Sequence, residues 1–388
     1  MGEDGRAGLS RASQAAVEAA QVIMGPPRHL ALLGETPARQ VAWPVPFADG
    51  VTDLLALRGQ SVVVLASGDP FWFGAGAVLA RHLKAGEWVV YPGVSTFSLV
   101  AAKMGWALEK TTCLGLHAAP LSRMRPHLAD GARLVVLLRD GPAVAEVASY
   151  LDGLGFGESA VTAWEAVGGA NEVRTSFSAH SLPAKTFAHP VCVAIDCAGI
   201  AVSIPKSNGI PDAFFTSDGT MTKRPVRALT LSALAPRAFE YLWDIGGGSG
   251  SVAIEWLLND PTTQATSIEI RTDRAEMIRA NALALGVDRL AMVEGEVPGA
   301  LADLPTPDAV FIGGGLSEAL LEHLHETLPA GTRLVANAVT LEAEALLAAW
   351  HAKLGGDLMR IEIANAAPLG TKRGWRATFP IVQWSVTL

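Results

Sequence analysis

The residues best suited to chemistry lie in the stretch WDIGGGSGSVAIEWL, from Trp243 to Leu257. An apolar run there reaches an aspartate and a glycine loop, and an amphipathic helix is predicted to follow. Glycines lack a Cβ, so their backbone can approach a ligand closely, and the first turn of a helix offers unpaired N–H donors. The loop therefore predicts a site for a nucleotide-like cofactor, with contacts from Gly246, Gly247, Gly248, Ser249 and Gly250.

The glycine spacing separates two classes of cofactor loop. In a dinucleotide fingerprint, G-x-G-x-x-G, that begins at Gly246, the third glycine would fall at Ser251. The pattern present is G-x-G-x-G, which resembles the S-adenosylmethionine (SAM) loop of class I methyltransferases. Glu269 ends the next predicted strand and can accept both ribose hydroxyls, and Val297 lies where methyltransferases usually contact adenine. A glycine-rich turn beside a surface glutamate would explain the loop alone, but not these features in this order.

A second pair of motifs lies in the first half of the chain. LASGDPFWFGAG follows the predicted strand Ser61–Leu65, and YPGVSTFSLVAAKMGW follows the predicted strand Glu87–Tyr91. Gly-Asp-Pro alone could be a turn, but the pair resembles the tetrapyrrole methylase family, a two-lobed α/β fold that binds SAM between its lobes. The resemblance implies cofactor contacts from Ser67, Gly68, Asp69, Trp72, Ser95, Thr96, Leu138 and Gly168.

These motifs require two domains to position them. The chain has 388 residues, which is long for a single core, and helix and strand patterns alternate throughout, as in α/β folds. Residues 203–212 are rich in Pro, Gly, Ser and Asn and lack periodicity, so we place a linker there. We expect a tetrapyrrole methylase domain at 1–202, with lobes at about 1–110 and 111–202. A class I Rossmann-like methyltransferase domain with a seven-stranded, mostly parallel sheet is expected at 213–388.

The apolar runs predict the individual elements. Helices are expected at Ser13–Met24 and Lys223–Leu234. Further strands are expected at Leu134–Leu138, Pro190–Asp196, Trp243–Ile245, Ala265–Ile270, Ala291–Val293, Ala309–Ile312, Arg333–Asn337, Leu358–Ala364 and Ile381–Val386.

Composition narrows the functional classes. The net charge is −8 and no basic patch is evident, which argues against binding of nucleic acid. The three cysteines form no C-x-x-C pair and the nine histidines show no ligand spacing, so neither a disulfide framework nor a metal site is expected. No signal peptide or membrane-spanning run is seen, and we expect a cytoplasmic protein.

Both halves together resemble one family, the fused precorrin-6B C5,15-methyltransferases (decarboxylating) of cobalamin biosynthesis. In addition to the motifs above, three further segments match the usual sequence motifs of that family, namely RHLALL, ANAVTLEAEALL and APLGTKRGWRATFPIVQWSV. The resemblance implies methylation of a corrin precursor, precorrin-6B, at C5 by the first half. Methylation at C15 and decarboxylation of the C12 acetate would belong to the second half, where Thr222 joins the cofactor site. Since both component families commonly self-associate, we also expect a homo-oligomer.

The family also sets an expectation for the start of the first lobe. Its members usually carry an apolar strand and a glycine loop ahead of GEDG, whereas this sequence begins at Met1-Gly2-Glu3-Asp4-Gly5. Either the start of the sequence was assigned late, or the first lobe lacks that central strand, which would affect the first site and not the second.

Basic residues are candidates to hold the carboxylates of such a substrate. Three precede the glycine loop and three lie in GTKRGWR, namely Lys223, Arg224, Arg227, Lys372, Arg373 and Arg376. A solvated charged face is an equally good explanation for any one of them. Trp375 could stack on a flat macrocycle or simply lie at the rim, and His117 could line the first site or simply lie in a loop.

Three other functions remain open at this point. A class I methyltransferase acting on RNA bases has a similar loop but requires a basic face. A NAD-dependent dehydrogenase requires glycine where Ser251 stands. A non-catalytic scaffold would leave two complete cofactor motifs unexplained.

Overall fold

A computed structural model describes residues 1–388. The chain divides into two compact units, one of residues 1–121 and 127–202 and the other of residues 122–126 and 203–388. Each unit is described by itself.

The first unit begins with a small parallel sheet in the order β2-β1-β3. The central strand β1 is fully buried, because Ile23 and Met24 have no exposed surface. No strand precedes β1, and the terminal ammonium of Met1 donates to the carbonyl of Ala66 at 2.8 Å. The elements are α1 (Arg11–Ala19), β1 (Val22–Gly25), α2 (Pro27–Leu33), β2 (Arg39–Ala42), α3 (Phe47–Ala56), β3 (Val62–Val64), α4 (Gly76–Leu79) and α5 (Thr96–Met104).

Two predictions for this region are wrong. The helix expected at Ser13–Met24 ends at Ala19, because the apolar residues that follow form the buried strand β1. The strand expected at Glu87–Tyr91 does not form. The segment pairs with no strand although the outer edge of β3 is open, and Val89 remains 70% exposed.

The second sheet of the first unit is mixed and has the order β4-β5-β8-β6-β7. Only the β4–β5 pair is parallel. Its inner strands β5, β6 and β8 are almost entirely buried, which places the core of this lobe along them. The elements are β4 (Thr111–Gly115), β5 (Arg133–Leu137), α6 (Ala143–Gly153), β6 (Ala160–Glu165), β7 (Val173–Ser178) and β8 (Val191–Asp196).

The second unit is built on a seven-stranded sheet in the order β11-β10-β9-β12-β13-β17-β14. Four pairings are parallel, while β17 runs antiparallel to both of its neighbours, so the sheet is mixed. The helices are α7 (Arg224–Leu234), α8 (Ser251–Asn259), α9 (Thr272–Ala284), α10 (Glu318–Thr327) and α11 (Leu341–Leu354). The strands are β9 (Tyr241–Ile245), β10 (Gln264–Glu269), β11 (Ala291–Glu294), β12 (Ala309–Ile312), β13 (Arg333–Ala338), β14 (Asp357–Ile361), β15 (Ala364–Leu369), β16 (Lys372–Ala377) and β17 (Ile381–Thr387).

Helices cover both faces of this sheet. Neighbouring residues of β9 enter different core clusters, Leu242 with α7, α8 and α9, and Trp243 with α10 and α11. Because successive strand residues point to opposite faces, the two clusters mark the two sides of a doubly wound sheet. In such a sheet, ligands bind at the carboxyl ends of the parallel strands.

A separate two-stranded hairpin, β15–β16, is inserted between β14 and β17. The strand expected at Leu358–Ala364 therefore ends at Ile361, and its last predicted residue begins the hairpin. The hairpin pairs with no other strand and most of its residues are exposed.

Candidate functional sites

The second unit contains a cavity of about 1200 Å³ at the carboxyl ends of its parallel strands. It brings together six of the residues proposed from the sequence for cofactor binding. These are Thr222, Gly246, Gly247, Gly248, Glu269 and Val297. Ser249 and Gly250 do not line it, since Ser249 is buried and Gly250 caps α8.

The glycine loop adopts a backbone that other residues rarely take. Gly246, Gly248 and Gly250 have φ angles of 71°, 60° and 74°, in the left-handed region. A Cβ on Gly246 would lie 2.5 Å from the Cα of Gly314. One on Gly248 would lie 3.3 Å from the carbonyl oxygen of Thr220. The loop can therefore keep this conformation, packed against Gly314 and Thr220, only while these positions carry no side chain.

Glu269 joins the end of β10 to this loop. Its Oε2 accepts from the backbone N–H of Gly248 at 3.0 Å, and its Oε1 accepts from the N–H of Arg271 at 3.1 Å. The side chain is buried yet lines the cavity. Each carboxylate oxygen has about two acceptor sites, so both retain capacity for a ligand hydroxyl.

Asp244, at the base of the loop, is the most perturbed acid of the unit. Complete burial raises the pKa of its carboxyl to about 7, although the Ser267 hydroxyl donates to it at 3.2 Å. The neighbouring charge of Glu269 also raises the pKa of Asp244. Its Oδ1 atom has no hydrogen-bond partner. A partly protonated acid therefore lies beneath the glycine loop near neutral pH.

Several cavity residues were not identified from the sequence. Gly313, Gly314 and Gly315 follow β12 and face the first glycine loop. Asn337 lies near the end of β13, and Arg274 holds Asp218 at 2.7 Å beside the cavity. In the sequence, the run of three glycines after a predicted buried strand could have identified Gly313, Gly314 and Gly315. The other contacts depend on tertiary structure.

The six candidate carboxylate clamps fall into different environments. Lys223 lines the cavity. Arg224 does not, because its Nε donates to the carbonyl of Gly209 at 2.7 Å. Lys372, Arg373 and Arg376 are exposed on β16 and none lines the cavity, although Thr378, just beyond the same strand, does.

Arg227 cannot serve as a clamp in this structure. It has no exposed surface, and it forms ion pairs with Glu255 and Asp212. It also donates to the carbonyls of Thr222 and Ile210, each at 2.5 Å. The side chain instead holds together the segment that leads to the cavity, and the prediction of a substrate contact is corrected accordingly.

The first unit has its own cavity, of about 410 Å³. Four of the eight proposed cofactor residues line it, together with His117. These four are Ser67, Gly68, Thr96 and Leu138. A Cβ on Gly68 would lie 3.0 Å from the Cα of Ser95, so the two motif loops pack closely.

The other four residues proposed for the first site lie outside the cavity lining. Asp69 accepts from the N–H of Phe71 at 2.9 Å, and Trp72 packs on Phe97 with ring centroids 4.8 Å apart. Ser95 caps α5 by accepting from the N–H of Ser98 at 3.1 Å. Gly168, with φ at 81°, donates its N–H to Glu172 at 2.6 Å. These residues shape the loops around the cavity.

His29 is a buried residue of the first cavity that was also not identified. Its Nε2 lies 2.9 Å from Nη2 of Arg28 and 3.1 Å from the hydroxyl of Ser67. Burial, together with the nearby charge of Arg28, lowers the pKa of His29 to about 4. An arginine can only donate, so Nε2 is the acceptor and the imidazole is neutral.

No group of three or more His, Cys, Asp or Glu side chains is arranged to hold a metal ion. No helix combines the length and apolar character needed to cross a membrane.

Comparison with known proteins gives matches in both units. A family model described as tetrapyrrole (corrin/porphyrin) methylases matches residues 2–182, and one described as a precorrin methyltransferase domain matches residues 213–388. The chain is 48% identical over 392 residues to the precorrin-6Y C(5,15)-methyltransferase [decarboxylating] of a Sinorhizobium species, covering 100% of this chain and 95% of that protein. It is 38% identical over 394 residues to the protein of that name from Mycobacterium tuberculosis, covering 100% and 98%.

Among solved structures, the chain resembles the C-terminal domain of the precorrin-6Y C5,15-methyltransferase from Rhodobacter capsulatus. The identity is 55%, the match covers 48% of this chain and 100% of that one, and the TM-score is 0.46.

Proposed function

The chain belongs to the precorrin-6Y C(5,15)-methyltransferase (decarboxylating) family, and on that premise we propose that its two units carry separate SAM sites with different reactions. It is a SAM-dependent C-methyltransferase that acts on a precorrin in cobalamin biosynthesis, with decarboxylation. In our proposal, the first unit methylates precorrin-6B at C5. The second unit methylates C15 and removes the carboxyl group of the C12 acetate. This membership displaces the RNA methyltransferase, dehydrogenase and scaffold alternatives.

The assignment of a SAM site to the second unit is supported best by the hydrogen bond between the glycine loop and Glu269. The N–H of Gly248 binds one carboxylate oxygen, while both oxygens keep acceptor capacity beside the cavity. A ribose diol needs such a paired acceptor. Gly246 packs its backbone against Gly314, and Gly248 leaves the cavity wall free of a side chain, so the cofactor can approach the backbone there. The residues present therefore fit SAM.

The first cavity offers a comparable fit between the two motif loops. Ser67, Gly68 and Thr96 line it, and the left-handed φ of 50° at Gly68 admits a close approach of the backbone. Its volume of about 410 Å³ is within the range of small-molecule sites. We assign this cavity to the methyl donor of the C5 reaction.

Little covalent chemistry is required of the protein. When bound, SAM supplies a methyl group on a sulfonium that is already activated for displacement. The walls of each site have to align the ring carbon of the substrate with that methyl and exclude water. In the decarboxylation, the C–C bond to the carboxyl breaks, CO2 leaves, and the electron pair enters the conjugated imine system of the substrate. A proton then returns to carbon.

The carboxylates of the substrate require cationic partners near the second cavity. Lys223 lines that cavity and is our first candidate. The hairpin β15–β16 adds Lys372, Arg373 and Arg376 without any acidic residue, in a chain whose net charge is −8. Trp375 is 80% exposed on the same hairpin and could cover the flat face of a macrocycle.

The direct test is mass spectrometry of the product after incubation of the full chain with precorrin-6B and SAM. Addition of two methyl groups with loss of one CO2 per substrate supports the proposal. A product with one methyl, or with both methyls and the carboxyl retained, would contradict it. A reaction without SAM controls for spontaneous decarboxylation.

A further inference from the structure

A buried polar network crosses the sheet of the second unit beside its cavity. Asn337 on β13 and Gln383 on β17 lie directly opposite each other. Nε2 of Gln383 donates to Oδ1 of Asn337 and to Oγ1 of Thr230, each at 3.0 Å. Nδ2 of Asn337 donates to the same Thr230 hydroxyl at 2.9 Å. Three polar side chains from two strands and α7 are thus joined by hydrogen bonds within the sheet and its covering helix.

The network fixes the orientation of the Asn337 amide. Its oxygen must face the Gln383 donor, and its nitrogen must face Thr230. These bonds use one of the two hydrogens on Nδ2 and one of the two lone pairs on Oδ1, so one donor and one acceptor remain. Thr230 has no exposed surface and Gln383 is 2% exposed, whereas Asn337 is half-buried and lines the cavity.

Burial of polar groups in a core is costly unless they are paired, so apolar residues would serve a purely structural role better. The network is confined to the end of β13, where the strand reaches the cavity. Its effect is to hold an amide in one orientation at the cavity wall. This is the arrangement expected of a preorganised ligand contact.

The strand order places Asn337 away from the cofactor loop. Glu269 ends β10 and Asn337 lies near the end of β13, with β9 and β12 between these strands. Three inter-strand spacings correspond to about 14 Å. The cavity between them is large enough, at about 1200 Å³, for more than a cofactor. Asn337 therefore lies on the part of the cavity wall that is available to the methyl acceptor, the precorrin substrate.

We propose that Asn337 is a substrate-contacting residue of the second site, whose free amide N–H donates to an oxygen of the corrin precursor. Thr230 and Gln383 act as positioning residues that hold the amide. A carboxylate oxygen is the acceptor we favour, because the substrate carries acetate side chains. The inference rests on the proposed function of the second unit and names a contact that the cofactor motifs do not include.

The test compares Asn337→Ala and Asn337→Asp with the unmodified full chain. The aspartate keeps the shape of the side chain and can still accept from Gln383, but it presents an acceptor to a carboxylate. We expect the KM for precorrin-6B in C15 methylation to rise at least tenfold in both variants, and more in the aspartate. SAM affinity of the second site should remain within twofold, and C5 methylation should be unchanged.

Thr230→Val tests the positioning role separately. It removes the hydroxyl with little change in volume, and should raise the KM for the substrate less than Asn337→Ala does. Restored activity in Asn337→Ser, which keeps a donor, would further support a hydrogen bond.

Two results would overturn the inference. One is an Asn337→Ala variant with unchanged C15 kinetics. The other is a loss of SAM affinity that parallels the loss of activity, which would make Asn337 a cofactor contact. Equilibrium titration of precorrin-6B, followed by its visible absorbance, keeps this test separate from the proposed function. An unmodified chain that binds the substrate without converting it refutes the function, and weaker binding in Asn337→Ala still supports the contact.

Discussion

The backbone N–H of Gly248 donates to Oε2 of Glu269 at 3.0 Å, so the glycine loop and the acidic end of β10 are joined directly. Glu269→Ala removes this bond and the proposed bonds to the ribose, each charge-assisted and on the order of 1.5–3 kcal/mol. We therefore expect SAM affinity at the second site to fall at least tenfold, as measured by calorimetry. The SAM affinity of Glu269→Gln should lie between those of the unmodified chain and Glu269→Ala, since the glutamine amide keeps one acceptor oxygen.

The matched control is Glu276→Ala. Glu276 is an exposed acid on α9 that does not line the cavity. Its loss should leave SAM affinity unchanged. Unchanged affinity in Glu269→Ala itself would remove Glu269 from the cofactor site.

The two proposed sites should be separable by single substitutions. Gly248→Val places a branched side chain at a φ of 60° and 3.3 Å from the Thr220 carbonyl, in the space assigned to the cofactor. It should abolish C15 methylation and decarboxylation and leave the C5 methyl. Asp69→Ala removes the acceptor of the Phe71 N–H. It should abolish C5 methylation and leave C15 methylation and decarboxylation. Product masses distinguish these outcomes.

Gly299→Ala is the control for the glycine substitution, because a Cβ there meets nothing within 4 Å. It should retain both methylations. A folded Gly248→Val or Asp69→Ala variant that loses both methyl groups would show that the sites are not independent.

Residues 203–212 should be needed for the stability of the second unit and not for that of the first. Glu255 accepts from the N–H groups of Gly209 and Ile210 at 2.6 and 3.1 Å, and Asp212 binds Arg227 at 3.0 Å. A fragment of residues 203–388 should fold and should itself add one methyl and release CO2. A fragment that begins at Ala213 loses these bonds, on the order of 1 kcal/mol each.

Urea unfolding of the two fragments measures the difference. Both fragments lack residues 122–126, and with them the Arg123–Asp288 ion pair and the contact of Arg125 with the ring of Phe214, so these losses cancel in the comparison. An insoluble or molten 203–388 fragment would mean that the two units share a core.

Asp244 should make the stability of the second unit depend on pH. Burial raises the pKa of its carboxyl to about 7 from 3.8, so the folded state retains the proton where the unfolded state has lost it. The free energy of unfolding should therefore fall as the pH rises from about 4 to about 7, by at most about 4 kcal/mol. Asp244→Asn cannot titrate and should flatten this dependence. Parallel pH profiles for the two proteins would rule out the effect.

The cations of the hairpin should affect the substrate and not the cofactor. Replacing Lys372, Arg373 and Arg376 together with alanine should raise the KM for precorrin-6B several-fold and weaken its dependence on salt, because screened charges steer an anionic ligand. SAM affinity should not change. Arg237→Ala, another exposed cation outside the cavity, serves as the control. Because the triple variant removes three charges and the control one, an effect only about three times that of Arg237→Ala would indicate net charge alone.

The parts of the structure that the sequence predicted are those with a local signal. Ala309–Ile312 is a strand with the predicted ends, because an apolar run stops there at three glycines. The loop at Gly246 was recognised from its spacing alone. By contrast, β15 and β16 are exposed on most positions, so no alternation of buried and exposed residues marks them.

The remaining features depend on partners distant in the chain. Glu87–Tyr91 has the composition of a strand but does not pair with the open edge of β3, and composition alone does not show whether such a pairing forms. Arg227 is a charged residue near the cofactor motif, and only the fold shows that Glu255 and Asp212 already bind it. Asn337 was part of a recognised motif, yet its role depends on Gln383 across the sheet and Thr230 on a helix.

The position of β17 has a consequence for biosynthesis of the chain. It is the last strand of its sheet to be synthesised, yet it lies between β13 and β14. β14 pairs with no other strand, so its backbone has no ladder until residues 381–387 have left the ribosome. Gln383 and the buried Trp384 arrive with the same segment. The second unit must therefore close its sheet late, whereas the last strand of the first unit is complete at Asp196 and can be in place while translation continues.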